Sequence, residues 1–471
     1  MSQSAGKKAK LTWLQLALLG LGCTTGTGFF LGSSIAIEKS GFSVLLLFLL
    51  AAIGTYFVFD ALAKMIAQHP EKGSYRTYSK KAFGHWAGFS HGWIYWLSEM
   101  LILGSQLTAL GLFTKFWFPD IPLWIFTSVF AVLGVVIVLL GTKWFEFTEN
   151  VFAVVKVSAI FMFIVLAILV ITGVIGRITP HMHTPEGITD LFADGPMGLW
   201  TALIYVFFAF AGIEVMGLMA AELKDPKKAP RSGKIMLSTI TVLYTASIGM
   251  ALLLAPLDAF STEQSPFITA LRDIRMTGLI HVFNGVLVIA GFSSLVASLF
   301  SVTKMMQTIA ADGDAPKILA KTNKRKFPYA SLCLTICGMI ASIVIALLLP
   351  KQVYEYITTA GGLMLLYTWL FILMASRRLL KLTVWGQIKS FSAILLILAA
   401  ATGTLFDESS RPGFYVSLLM LLIIGTATLL MRRKWQNKGG GSSREEALGA
   451  LAIQSISQML QEKDRQPAKS E

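Results

Sequence analysis

The sequence predicts an all-α integral membrane protein with twelve transmembrane helices. Three observations carry this reading. The 471 residues are 55% hydrophobic and 14% charged, with a mean hydropathy of +0.67, whereas a soluble chain devotes about a quarter of its residues to charge. Apolar runs of about 20 residues, the length a helix needs to cross a hydrocarbon core of about 30 Å, recur along the chain. The basic residues gather in alternate gaps between those runs rather than in one patch.

Apolar runs bounded by charged or Pro/Gly-rich breaks place the spans near 13–36, 42–64, 87–113, 121–141, 150–174, 198–220, 235–256, 278–303, 329–349, 353–376, 390–406 and 413–431. The stretch 258–280 has room for a short surface or re-entrant helix. Lys7, Lys8 and Lys10 precede the first run as in a signal peptide, but the run is long and no small-residue cleavage site follows, so it reads as a retained span. The membrane domain then covers 1–432 and a cytoplasmic tail 433–471. In the tail a Gly-Gly-Gly-Ser-Ser linker at 439–443 precedes Leu448, Leu451, Ala452, Ile456, Met459 and Leu460, whose helical spacing predicts a short amphipathic helix.

A net charge of +14 with a pI near 9.6 raises the question of nucleic acid, but the cations sit in loops, where they read as a topology signal. With the N-terminus in the cytoplasm, only Lys39, Lys115, Arg177, Arg272, Arg275, Lys351 and Arg411 face outward, and Lys156 falls within a span. The positive-inside rule therefore places both termini in the cytoplasm of a plasma or inner membrane. Cys23, Cys333 and Cys337 lie in apolar segments and read as small packing residues rather than a disulfide framework. Trp86, Trp93, Trp96, Trp117, Trp124 and Trp144 cluster near span ends, as interfacial anchors do.

A helix in hydrocarbon satisfies its own backbone, so a glycine-rich break deep in a span needs a reason. Span 1 holds Gly20, Gly22, Gly26, Gly28 and Gly32 around Cys23, Thr24, Thr25 and Thr27. Small-xxx-small pairs favour close helix packing, but this density also suits an unwound stretch whose freed N–H groups meet an anionic group. Span 6 carries the matching feature in Phe208-Ala-Phe-Ala-Gly-Ile-Glu214, then Gly217 and Glu222. Broken helices at corresponding places in two five-span halves are the mark of an inverted repeat. The halves are 12–176 and 198–376, with the spans of 390–431 added outside them.

The order of Gly22-Cys-Thr-Thr-Gly-Thr-Gly-Phe-Phe-Leu-Gly32, Pro70-Glu-Lys-Gly-Ser-Tyr75, Gly88-Phe-Ser-His-Gly-Trp93-Ile-Tyr-Trp96, the span 6 motif with Ala221-Glu-Leu-Lys-Asp-Pro226, and Ala310-Ala-Asp-Gly-Asp-Ala-Pro316 resembles the amino acid-polyamine-organocation family of permeases over about 12–430. That resemblance implies a LeuT-like five-plus-five fold with an amino acid held between spans 1 and 6. It implies that Gly26, Thr27 and Gly28 receive the substrate carboxylate. Carbonyls near Cys23 and Thr24, with those of Phe208 and Ala211 beside Gly212, would take the α-ammonium, under the Phe208 ring as a lid. Helix N-termini favour anions and freed carbonyls favour cations.

Ionisable residues inside spans are costly and so point to function. Lys156 lies too deep to reach water easily, and desolvation loosens a lysine's hold on its proton. In the family, a lysine here can stand where sodium-coupled relatives hold an ion between spans 1 and 8, which implies proton coupling through Lys156 with Ser293 or Ser294 as its neighbour. A permanently bonded structural ammonium is the alternative. Glu214 is expected to brace the break or exchange protons, and Glu222 to bond backbone or a loop cation. Glu99 and Asp60 need partners that the sequence does not identify, and a Glu99 facing the cavity would admit cationic substrates. His181 and His183 lack further ligands for a metal, and Asp312-Gly-Asp314 reads as a turn rather than a calcium loop.

The chain is therefore expected to move neutral amino acids, with the proton as coupling ion and no cofactor. Its partners would be the amino acid and membrane lipid, without nucleic acid. No phosphate-binding loop motif is present to suggest an ATP-driven pump. An obligate exchanger is the near alternative and a non-transporting sensor a distant one. No nucleophile–base pair within the spans suggests an enzyme.

Overall fold

The computed structural model describes residues 11–432 and 435, apart from 72, 176–181, 186, 275, 324–326 and 349–352. The expected tail helix, His181 and the side chain of Trp144 lie outside the described residues. In chain order the helices are α1 (Trp13–Thr24), α2 (Thr27–Phe30), α3 (Gly32–Ser40), α4 (Val44–Gln68), α5 (Ser74–Phe83), α6 (His85–Lys115), α7 (Leu123–Leu140), α8 (Thr142–Ile171), α9 (Ile188–Leu191), α10 (Gly195–Phe208), α11 (Ile213–Met219), α12 (Ala229–Leu254), α13 (Pro266–Asp273), α14 (Thr277–Ala311), α15 (Tyr329–Leu348), α16 (Val353–Leu379) and α17 (Val384–Gly403). A further helix, α18, covers Arg411–Arg432.

Among the described residues ten helical segments are long and apolar enough to cross a membrane, and two shorter apolar helices are Trp13–Thr24 and Tyr329–Val344. The chain is an all-α protein that passes through the membrane many times. Each span of about 30 Å demands complete internal pairing of its backbone, which the helix supplies without partners. On α7 the side chains of Val129, Val132 and Val136 point outward, as do Phe391, Leu395 and Leu398 on α17. Such belts of exposed apolar surface are stable against acyl chains rather than water.

Residues to Met420 form one compact unit, and Leu421 onward a second. In the first, α6 packs between α14 and α16, while α4 packs against α12, α10 and α17. Capping decides where the first helix starts. Thr12 closes a capping box with Gln15, accepting the Gln15 N–H at 3.3 Å and donating its own N–H to Gln15 Oε1 at 2.9 Å. Just before it, Leu11 pairs with the strand-like stretch at Leu223, its N–H donating to the Glu222 carbonyl at 3.1 Å.

Several expectations change. The apolar span runs Val151–Ile171, close to the expected start near 150, but its helix begins earlier, at Thr142, which carries Glu149 into the helix. The stretch 258–280 does hold a short helix as expected, α13, amphipathic with Phe267, Ile268 and Leu271 buried. Cys333 and Cys337 are exposed rather than packed, while Cys23 is buried. Trp86 and Trp124 face outward as anchors do, but Trp96 is buried and stacks edge-on with Trp93, because the face of α6 they occupy turns toward the bundle.

Candidate functional site

Two helices that begin as regular spans stop in the middle of the bundle. The first ends at Thr24; Thr25 and Gly26 run extended, and helix resumes at Thr27. Phe29 and Phe30 both donate to the Gly26 carbonyl, at 3.1 and 3.0 Å. The N–H groups of Gly26, Thr27 and Gly28 find no backbone carbonyl among the described residues, as expected for the first turn of a helix. Gly26 and Thr27 are buried and Gly28 partly so, and the three donors stand at the positive end of a helix dipole.

The second break follows Phe208. Ala209 to Gly212 form a turn, with Gly212 in the left-handed region at φ +113°, before α11 restarts at Ile213. Only glycine adopts that conformation at low cost, and here the space is closed too: a methyl group on Gly212 would lie 2.7 Å from the Cys23 carbonyl oxygen. Glu214, wholly buried, spans the turn by accepting the Gly212 N–H at 2.9 Å, and its other oxygen accepts the Trp369 indole N–H. Glu214 thereby ties the turn to α16.

The two breaks face each other. A methyl on Gly28 would meet the Phe208 carbonyl oxygen at 2.9 Å and its ring at 3.0 Å. Cys23, Thr24, Gly26, Thr27, Gly28, Phe208, Ala211 and Gly212 are thus brought to one place. Of the expected ammonium receivers, the Thr24 carbonyl already accepts the Tyr244 hydroxyl at 3.2 Å and the Phe208 carbonyl the Ala211 N–H at 3.0 Å. Each keeps one lone pair. Tyr244 also stacks on Phe29, with centroids 3.6 Å apart, and Tyr354 donates to the Thr27 carbonyl at 3.2 Å. Aromatic residues of α12 and α16 therefore hold the interrupted backbone from both sides.

Lys156 comes from α8 and is wholly buried. Its ammonium donates to the Gly22 carbonyl at 2.7 Å and to Ser294 Oγ at 3.3 Å. Ser293 is not its neighbour: one residue turns a helical side chain by about 100°, and Ser293 instead donates to Glu149 Oε1 at 2.8 Å. Glu149 escaped the sequence reading because it stood outside the expected span, although its separation of seven residues from Lys156 puts both on one face of a helix. Glu99 is also buried, beside Tyr95 and Ser298, with Oε2 unpartnered among the described residues. Asp60 pairs with Lys64 at 2.7 Å, and Lys389 stands 4.0 Å away.

Charged networks join segments distant in the chain. Arg76 of α5, wholly buried, pairs with Asp312 and Asp314, and His85 also bonds Asp314. The turn expected at Asp312-Gly-Asp314 is present, with Gly313 at φ +81°, but its acids clasp a buried arginine. Burial alone would push the Asp312 carboxyl up; the hydrogen bond and charge of Arg76, with Lys80, hold it below the usual carboxylate range. Another network joins Lys39 to Asp407 at 3.0 Å, to Glu355 at 3.2 Å and to Ser409 at 2.9 Å. A cavity of about 310 Å³ lies between α11 and α14, lined by Gly73, Val215, Met219, Glu222, Phe300 and Lys304. Among the described residues no group of three or more His, Cys, Asp or Glu is placed to hold a metal ion.

A sequence model of the family described as "Amino acid permease" matches residues 15–438. The chain is 57% identical over 411 residues to the uncharacterized transporter YcgH of Bacillus subtilis, covering 87% of this chain and 92% of that one. It is 30% identical over 374 residues to an L-asparagine permease of Salmonella typhimurium, with 78% and 74% covered. To the aromatic amino acid transport protein AroP of Corynebacterium glutamicum it is 29% identical over 373 residues, with 78% and 80% covered.

Proposed function

The chain belongs to the amino acid permease family, transporters rather than enzymes, and from that premise we propose that it takes up neutral amino acids by alternating access, driven by protons. The observation that carries the coupling is the bond from Lys156 to the Gly22 carbonyl, two residues before the first helix ends.

In this reading the chain has twelve spans in five-plus-five inverted repeats with two added, and both termini lie in the cytoplasm. The substrate carboxylate takes the N–H groups of Gly26, Thr27 and Gly28. Its ammonium takes the remaining lone pairs of the Cys23, Thr24, Phe208 and Ala211 carbonyls, with Gly212 letting the two breaks lie close together and the Phe208 ring covering the site. Relatives named for asparagine and for aromatic amino acids are consistent with uncharged substrates.

The coupling follows from charge. A protonated Lys156 ties α1 to α8 and, through Ser294, to α14. The neutral amine is a weaker donor, since hydrogen bonds from charged groups are roughly twice as strong. Losing the proton loosens α1 and with it the binding backbone, so proton release and substrate release favour the same conformation. The two charged networks serve as gates: Arg76 with Asp312 and Asp314 on the cytoplasmic side, Lys39 with Glu355 and Asp407 on the outer side. The cavity between α11 and α14 is then the inner vestibule.

The test is uptake of a panel of labelled amino acids, L-asparagine and L-phenylalanine among them, into proteoliposomes with and without an inward proton gradient. Gradient-stimulated accumulation by wild type that is lost in Lys156→Ala is the expected result. Uptake that ignores the gradient and requires internal amino acid would make the protein an exchanger and Lys156 a structural ammonium.

A further inference from the structure

The structure places a second buried charge at the same backbone residue that holds Lys156. Glu149 is 1% exposed. Its Oε1 accepts from Ser293 at 2.8 Å, and its Oε2 has no partner among the described residues. A methyl group on Gly22 would lie 3.2 Å from that Oε2, while the Gly22 carbonyl accepts the Lys156 ammonium at 2.7 Å. Carboxylate and ammonium therefore flank one glycine of α1, and adjacent serines of α14 serve one each.

The seven-residue spacing sets Glu149 and Lys156 about 10 Å apart along the axis of α8 but on one face. Helical side chains lean toward the N-terminus, so the long lysine reaches back toward the glutamate. The charge acting on Glu149 is that of Lys156. Cys23 of α1 feels the charges of both groups and that of Glu99 of α6. No direct ion pair joins Glu149 and Lys156 within 4 Å, so the lysine remains bonded to α1 and the carboxylate keeps an oxygen free.

We infer that Glu149 is the counter-charge that keeps the coupling proton on Lys156, and thereby sets the pH range in which transport is coupled; this rests on Lys156 being the proton carrier. An ammonium taken wholly out of water is unstable without a nearby anion. Glu149 supplies that anion from the same rigid helix, so the pair keeps its spacing when α1 moves and only the Gly22 contact is broken. Position 22 suits glycine because a methyl group there would lie 2.9 Å from the Ala153 Cβ and 3.2 Å from Glu149 Oε2. Glu149 is a positioning residue: it need not touch the substrate.

The experiment is proton-driven uptake of the labelled amino acid that wild type accumulates, followed between about pH 5 and 8, for wild type, Glu149→Gln, Glu149→Asp and Lys156→Ala. Glu149→Gln keeps the shape and the Ser293 bond but removes the charge. Its coupled-uptake profile is expected to move toward acid by about one pH unit or more, the displacement that corresponds to about 1.4 kcal/mol of lost interaction. Glu149→Asp keeps the charge one methylene farther away, so its profile should move less in the same direction; it also serves if the Gln variant does not fold. A profile that superimposes on wild type in these variants, at whatever rate, overturns the inference while loss of coupling in Lys156→Ala leaves the proton-carrier reading intact. Full coupling retained in Lys156→Ala overturns that reading and this inference with it.

Discussion

The Gly212 N–H donates to Glu214 Oε2 at 2.9 Å, so a side chain two residues downstream closes the left-handed turn at which the second broken helix restarts. The other oxygen of the same carboxylate holds Trp369, which is wholly buried on α16. One acid thus ties the break to the opposite wall of the bundle.

Glu214→Ala should leave the Trp369 indole N–H buried without an acceptor, at a cost of about 1–3 kcal/mol. Glu214→Gln retains one acceptor oxygen and should recover part of that loss. Thermal melts in detergent, run beside uptake assays, check the order wild type, Gln, Ala; an Ala variant equal to wild type in both would remove the bracing role.

Gly28→Ala would force its methyl to within 2.9 Å of the Phe208 carbonyl oxygen, and backbone on both sides leaves little freedom to yield. Overpacking of this kind costs about 1–3 kcal/mol, and because the strain falls between the two breaks, uptake should fall by about tenfold for each 1.4 kcal/mol. Membrane insertion, which depends on apolar length, should be unchanged. Uptake at equal surface expression is the measurement, and a fully active variant would separate Gly28 from the site.

Arg76→Ala removes the guanidinium from Asp314, whose side chain is wholly buried, and leaves it the bond to His85. Stranding one half of a buried ion pair costs about 3–5 kcal/mol, and the His85 bond offsets part of that. Asp312→Asn should cost less, since Asp312 is over a third exposed and keeps hydrogen-bonding capacity. Comparing the melting temperatures of the two variants tests this, and equal losses would contradict the assignment of Asp314 as the principal partner.

The Asp312 carboxyl titrates lower in the folded protein than in the unfolded chain because Arg76 and Lys80 favour its charged form. Its contribution to stability is therefore fully present above the unfolded value of about 3.9 and is lost as pH falls through the folded value. The difference in melting temperature between wild type and Asp312→Asn should be constant through neutral pH and shrink only below about pH 4. A difference that instead shrank on raising the pH toward neutrality would reverse the sign of the assigned shift.

Much of the site was legible because its residues are exceptional in a membrane span. Repeated glycines, Phe208 to Glu214, and a lysine in an apolar run each violate what hydrocarbon tolerates. Glu149 was not legible, because a charged residue at the edge of an apolar run reads as loop until the helix start at Thr142 is known. The choice between Ser293 and Ser294 was open for a similar reason: adjacent serines have the same chemistry, and only the rotation of α14 separates them. The partnership of Arg76 with Asp312 and Asp314 joins residues 236 and 238 positions apart, a distance over which no local pattern carries information.

The sequence by itself determined that this chain is a helical membrane protein with interrupted spans and an amino acid permease motif set, since the cost of unpaired backbone and charge in hydrocarbon writes itself into composition and spacing. Only the tertiary structure decided which carbonyl receives Lys156, which serine stands beside it, and that Glu149 shares Gly22 with it. Those relations depend on helix rotation and side-chain reach at the ångström scale, and packing between distant segments sets both.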